Sequence, residues 1–297
     1  MHHPFIALDW GTTSFRAYLV DADGTLQNKF AAAEGILAVS DGGFEAVLES
    51  HIGPWDKSLP VVAAGMITSR QGWMELPYTE CPAGPADLAK HIHVFKAKSG
   101  RVIHFLTGLH LAGGDLGHDV MRSEETQVFG SLDLGAAHFV TPGTHSKWID
   151  VVDGRIVNFA TYITGEMFSL LRNHSILGRL MTSDQDDEVQ FLKGVDRAMA
   201  DPAGFLHSLF SVRSLGLFNA VPADSLASYL SGIVIGTEVA HATLHNDRAA
   251  RYVVLASPGI GGRYVRALKH VGLDVVMGDP LAIIKGEAVV ARMAGII

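Results

Sequence analysis

The sequence predicts an α/β protein built as two related lobes. Three observations carry this. A strand–turn–strand–turn–strand pattern occurs twice, helix and strand signals alternate after each occurrence, and the 297 residues exceed what one core usually holds.

The first pattern opens the chain. Residues 5–8 (Phe-Ile-Ala-Leu) read as a short buried strand, residues 9–14 as a polar, glycine-containing turn, and residues 15–20 as a second strand. Asp21-Ala22-Asp23-Gly24 signals a tight turn, after which residues 25–32 return as a third strand. The second pattern starts with a strand at 138–141. The turn Pro142-Gly143-Thr144-His145-Ser146 follows, then a strand at 147–152, the turn Asp153-Gly154 and a strand at 155–162. Gly-Thr and Asp-Gly turns recur in the same order at nearly the same spacing, which favours duplication over two unrelated hairpins. Beyond the first pattern, residues 44–55 read as a helix and 61–64 as a buried strand. Beyond the second, helical periodicity is expected at 166–172, 201–210, 225–240, 263–270 and 280–293, with strands at 252–256 and 274–277. Pro280 falls near the start of the last helix. Glycines 108, 113, 114 and 117 cluster between Thr107 and Asp119, so the lobes are expected to divide there, as 1–113 and 114–297.

Apolar residues make up 48% of the chain, enough for packed cores. The net charge of −8 comes from intermixed acids and bases without a basic stripe, which argues against nucleic-acid binding. No basic-then-apolar leader and no run of membrane-spanning length is seen, so no membrane partner is expected. The single cysteine, Cys81, has no internal partner and no activating base beside it; it reads as structural, and a cytoplasmic location is expected. Oligomeric state is left open, a homodimer included.

The two Gly-Thr turns carry the chemistry. Such turns present backbone N–H groups and hydroxyls with little bulk, a combination that binds phosphate oxygens. Gly11, Thr12, Thr13 and Ser14 in the first turn, and Gly143, Thr144 and His145 in the second, are candidate ATP-phosphate contacts. Asp9 ends the first strand and is a candidate ligand for hydrated Mg²⁺, which prefers carboxylate, phosphate and water oxygens. Arg16 can neutralise charge developing on a transferring phosphoryl group. A third glycine-rich turn, with Gly259, Gly261 and Gly262, lies between a late strand and a helix. A Walker A loop and a Gly-x-Gly-x-x-Gly fingerprint are both missing.

The run from Asp9 to Arg16 resembles the first phosphate loop of the superfamily that contains sugar kinases, actin and heat-shock ATPases, and residues 141–145 resemble the second. Within it, the segments 65–73 (Gly-Met-Ile-Thr-Ser-Arg-Gln-Gly-Trp), 120–127 (Val-Met-Arg-Ser-Glu-Glu-Thr-Gln), 143–148, 164–166 and 174–180 resemble the 2-dehydro-3-deoxygalactonokinases, in order and over nearly the whole chain. The family more often has glycine where this chain has Ser123, Thr68 is not its commonest choice, and the 257–262 turn also differs. The resemblance implies two ribonuclease H-like (actin-like ATPase) lobes around a nucleotide cleft, with the turn of Gly259, Gly261 and Gly262 beside the adenosine of ATP. It also implies phosphorylation of 2-dehydro-3-deoxy-D-galactonate at its 6-hydroxyl with ATP and Mg²⁺, in galactonate breakdown.

The residues fit an acidic sugar. Arg70 can grip a carboxylate through two parallel hydrogen bonds, Ser69 and Gln71 can read hydroxyls, and Trp73 can shape a pocket wall. A carboxylate must take the acceptor proton as phosphate transfers. Glu124 and Glu125 are adjacent in the segment where more distant sugar kinases hold their base, ahead of Phe129-Gly130. Glu124 is the first choice and Glu125 the second, since neighbouring helix residues point to different faces. Arg122 can pair with Glu124 or touch substrate. The rival readings are a kinase of another sugar or sugar acid, a non-catalytic ATP-dependent binding protein of the same fold, and a phosphoanhydride hydrolase.

Overall fold

The computed structural model describes residues 3–40, 42–114, 117–244 and 250–297. In chain order the early elements are β1 (Phe5–Trp10), β2 (Phe15–Val20), β3 (Leu26–Ala32), α1 (Phe44–Ile52), β4 (Val61–Ala64), β5 (Thr79–Glu80), α2 (Pro85–Lys90), β6 (His93–Lys96) and β7 (Val102–Phe105). There follow β8 (Leu109–Gly114), β9 (Gly117–Met121), α3 (Glu124–Phe129), β10 (His138–Thr141), β11 (Ser146–Val152), β12 (Arg155–Tyr162) and α4 (Thr164–His174). The chain continues through α5 (Glu188–Ala200), α6 (Phe205–Leu217), α7 (Leu226–Ala242), β13 (Arg251–Val254), α8 (Pro258–His270), β14 (Asp274–Met277) and α9 (Ala282–Met293).

One sheet has the order β3-β2-β1-β4-β7-β6, and a second has the order β12-β11-β10-β13-β14. In the first, β1 pairs antiparallel with β2 and parallel with β4, and β4 pairs parallel with β7. In the second, β10 pairs parallel with β13 and β13 with β14. Both sheets therefore run through three consecutive strands and on to two crossover strands. The pattern seen twice in the sequence is a sheet plan built twice, and the fold is the ribonuclease H-like, actin-like ATPase class. β1, flanked on both sides, is almost wholly apolar and buried, whereas β3 at the edge is largely open and carries Gln27, Asn28 and Lys29.

Two compact units result. The first comprises Met1–Gly135, Asp150–Phe159 and Asp279–Ile297; the second comprises Ala136–Ile149 and Ala160–Gly278. The division interleaves, where the sequence reading places one cut after residue 113. The glycines read as a boundary lie instead in an antiparallel hairpin, β8–β9, which joins β5 in a third small sheet. Residues 115 and 116 of that stretch lie outside the described ones. No helix among the described residues is long and apolar enough to cross a membrane.

The first core gathers Trp10, Phe15, Leu48, Ile67 and Phe105 under the sheet. Arg101, wholly buried, closes the end of α1: its guanidinium donates to the carbonyls of Ile52, Trp55 and Asp56, and its Nε to Glu49 Oε1 at 2.9 Å. These acceptors make the buried charge tolerable. In the second unit, α7 is buried almost all round and packs on α5.

In the first unit, α3 and α9 touch backbone to backbone. A Cβ on Gly286 would lie 1.7 Å from the Thr126 carbonyl oxygen, and one on Gly130 would lie 1.9 Å from that of Ala282. Gly286→Ala must therefore push α3 and α9 apart, at a cost of roughly 1–3 kcal/mol or more. A urea denaturation series reads this directly; an unchanged midpoint would mean that the two helices are not in such close contact.

Candidate active site

Asp9 stands at the end of β1, directly across from Arg16 on β2. Arg16 Nη1 donates to Asp9 Oδ2 at 2.8 Å, and the Asp9 side chain is only 13% exposed against 47% for Arg16. Burial pushes the Asp9 carboxyl above its ordinary range; the Arg16 charge and hydrogen bonds from Arg16 and Ser123 pull it back. The turn beyond it closes with Gly11 N–H donating to the Ser14 carbonyl at 2.9 Å, leaving Thr12 and Thr13 exposed.

Ser123, just before α3, has φ +90°. A side chain in that region costs about 1–2 kcal/mol, a conformation open to glycine. Glycine would take this backbone conformation without that cost. The hydroxyl reaches Asp9 Oδ1 at 3.4 Å. Both glutamates that follow turn back on this bend. Glu124 Oε2 accepts from the Arg122 N–H at 3.0 Å, and Glu125 Oε1 accepts from the Ser123 N–H at 2.9 Å. Glu124 is half-buried and Glu125 is enclosed, with its second oxygen unpartnered. Burial, then the Glu124 charge, pushes the Glu125 carboxyl up to about 8. From α9, Glu287 adds a third enclosed acid. Neither of its oxygens completes a hydrogen bond, and burial together with the Asp9 and Glu125 charges raises it well above the ordinary range.

The segment read as the sugar-acid contact follows β4. Arg122 holds it in place: Nη1 donates to Thr68 Oγ1 and Nη2 to the Leu76 carbonyl, both at 2.8 Å, with the guanidinium 4.0 Å from the Tyr78 ring centre. Its charge therefore serves the loop, and its backbone serves Glu124. Ser69 is buried with an unpartnered hydroxyl, while Arg70 and Gln71 are exposed. Trp73 turns inward, parallel to Phe44 and edge-on to Phe95 and Phe105, so its ring packs into the core behind the segment.

In the second unit, Gly143, Thr144 and His145 form an exposed turn after β10, and His145 Nε2 lies 2.8 Å from Glu166 Oε2. The first turn of α4 is pressed against it: Glu166 N–H donates to the Thr144 carbonyl at 2.9 Å, and a Cβ on Gly165 would lie 2.2 Å from the Gly143 carbonyl. Gly259, Gly261 and Gly262 differ from expectation. They form the first turns of α8 and not a loop before it, because Pro258 sets the first helical residue and Tyr264, Ala267 and Leu268 bury the helix. Burial pushes the Cys81 thiol up to about 11.

Among the described residues no group of three or more His, Cys, Asp or Glu is set to hold a metal. A single inward carboxylate beside an open phosphate-type turn suits Mg²⁺, which takes one or two protein carboxylates with phosphate and water and seldom an all-protein cage. Asp9 fits that role. Glu287 and Glu238 escaped the sequence reading. Their only sequence signal is an isolated acid within an apolar helical repeat.

Glu125 supports a pH prediction. Its ordinary value is 4.5, against about 8 when folded. Between those values the folded chain keeps a proton that the unfolded chain releases, so stability falls as pH rises through that window. Glu125→Gln removes this loss. Urea midpoints at several pH values should fall less for the variant than for the unaltered chain; parallel curves would mean that Glu125 ionises normally.

Comparisons with known proteins identify the family of the chain. The family model for 2-keto-3-deoxy-galactonokinase matches residues 9–290. A Rhizobium meliloti (strain 1021) protein described as a probable 2-dehydro-3-deoxygalactonokinase is 36% identical over 280 residues, covering 91% of this chain and 90% of that one. The 2-dehydro-3-deoxygalactonokinase of Escherichia coli (strain K12) is 33% identical over 279 residues, covering 93% of each. A crystal structure from Sinorhizobium meliloti, provisionally assigned as a 2-dehydro-3-deoxygalactonokinase, superposes with a TM-score of 0.89 at 33% identity, covering 97% of this chain and 96% of that one. The chain belongs to the 2-keto-3-deoxy-galactonokinase family.

Proposed function

We propose that the protein transfers the γ-phosphoryl group of ATP to the 6-hydroxyl of 2-dehydro-3-deoxy-D-galactonate, giving the 6-phosphate and ADP in galactonate breakdown. One observation supports this above the others. In a chain of this family, one compact unit joins Asp9 and its polar turn, by way of Ser123, to the two glutamates of α3 and to the segment that Arg122 holds.

The roles follow from position and chemistry. Arg70 pairs with the sugar-acid carboxylate, and the unpartnered Ser69 hydroxyl and the exposed Gln71 read its hydroxyls. Trp73 backs this segment from the core. Glu124, half-buried at the start of α3, takes the proton of the attacking hydroxyl. The new bond joins that oxygen to the γ-phosphorus, and the bond from the γ-phosphorus to the bridging oxygen breaks, leaving ADP. Glu125 stays enclosed as the alternative base. Gly11, Thr12, Thr13 and Ser14, with Gly143, Thr144 and His145, bind phosphate oxygens; Gly259, Gly261 and Gly262 border the adenosine. Asp9 holds Mg²⁺, which when bound screens the phosphate charge, and Arg16 fixes Asp9 and adds positive charge. The single cysteine and its inert thiol suit the cytoplasm.

A coupled ADP-release assay with Mg-ATP over a panel of 2-keto-3-deoxy sugar acids tests the reading. Turnover confined to the galactonate form is expected; turnover on another acid alone moves the specificity, and no turnover by folded, ATP-binding protein refutes the kinase. Glu124→Gln should lower turnover by roughly 10²–10⁴-fold while nucleotide binding persists. Normal turnover in that variant assigns the proton to Glu125 or another group.

A further inference from the structure

In the second unit a single carboxylate sits where three elements meet. Glu238 is the only Asp, Glu, Lys or Arg on α7, and it is 3% exposed. A charge at such a place is costly unless donors surround it. Here they do. Ser146 Oγ donates to Oε1 at 2.7 Å and Trp148 Nε1 to the same oxygen at 2.6 Å, while Tyr264 OH donates to Oε2 at 2.6 Å. The Thr164 hydroxyl adds a further hydrogen bond.

The donors come from informative places. Ser146 directly follows the turn of Gly143, Thr144 and His145. Thr164 opens α4, whose next residue, Gly165, presses on the Gly143 carbonyl. Tyr264 lies one helical turn beyond Gly261 on α8, and Arg263 beside it donates to Ser231 of α7 at 3.1 Å. The second phosphate turn, the helix behind it and the glycine-bearing start of α8 are thus tied to one acceptor. Charge-assisted bonds of this length are short and directional, so the carboxylate fixes spacing as well as satisfying polar groups.

We propose that Glu238 is a positioning residue for nucleotide binding, holding the Gly143–His145 turn and the start of α8 at the separation that one ATP molecule requires. The inference rests on the kinase reading above. It adds a residue that touches neither substrate nor phosphate, and assigns its effect to the nucleotide and not to the sugar acid.

The test is calorimetric titration of Mg-ADP and of a non-hydrolysable ATP analogue, without sugar acid, with melting temperatures measured alongside. The proteins are the unaltered chain, Ser146→Ala, Tyr264→Phe, the double variant, Glu238→Gln, and Val212→Ala as a core-weakening control in the same unit. Ser146→Ala and Tyr264→Phe should each weaken nucleotide binding about tenfold, as loss of an outer supporting contact does. The double variant should lose less than the product, because both hydroxyls act through one carboxylate. Val212→Ala should melt earlier yet bind nucleotide normally. The two hydroxyl deletions carry the test whether or not Glu238→Gln folds. Unchanged affinity in both, or an equal loss in Val212→Ala, overturns the proposal and leaves the kinase reading standing. An unaltered chain that binds no nucleotide overturns both.

Discussion

The candidate catalytic carboxylates depend on a contact between two helices that meet with no side chains between them. α3 has six residues, too few to hold a helix by itself in water. It persists because Thr126 and Gly130 lie directly on Gly286 and Ala282 of α9. That contact sets where the chain turns at Ser123, and the turn sets where Glu124 and Glu125 reach. The strained φ of Ser123 and the burial of the Glu125 and Glu287 carboxyls both oppose this arrangement. The packing of α3 on α9 has to outweigh them.

Four buried ionisable groups are handled in different ways, and the differences sort structure from chemistry. Arg101 is saturated with carbonyls and one carboxylate, which is how an interior charge that only braces a helix end should look. Glu238 is also saturated, but by donors from elements next to the candidate nucleotide-binding turns. Glu125 and Glu287 keep unpartnered oxygens and raised proton affinities beside Asp9. Groups left in that condition are characteristic of reacting sites, where folding stability is given up for chemistry.

Much of the fold was legible because the deciding signals are local. Apolar runs ending in Asp-Gly and Gly-Thr turns report strands and hairpins directly, and their recurrence reported the doubled sheet. The two Gly-Thr turns were legible for the same reason: their residues are contiguous. What the sequence hid is set by distant parts of the chain. Arg122 looked like a substrate ligand because nothing nearby reveals that its guanidinium clamps Thr68 and Leu76. Trp73 looked like a pocket wall until Phe44, Phe95 and Phe105 were placed around it. The glycines after Pro258 looked like a loop because glycine propensity argues against helix, and burial of Tyr264 and Leu268 overrides it. The glycines at 113 and 117 looked like a linker because a hairpin turn and an interdomain hinge share one composition.

The interleaved division has a consequence for how the molecule is made. Synthesis runs from β1 onward, and a leading unit ordinarily folds while the rest is still emerging. Here the first unit is short of a wall until residues 282–293 leave the ribosome, since α9 is the surface on which α3 rests. Until then the segment bearing Glu124 has no partner to hold its helical turn. The nascent chain can therefore assemble the turn of residues 9–14 early, yet the bend that carries Glu124 and Glu125 is ordered only once α9 has emerged. The candidate carboxylates thus take their places late in folding, on packing supplied by a distant segment of the same chain.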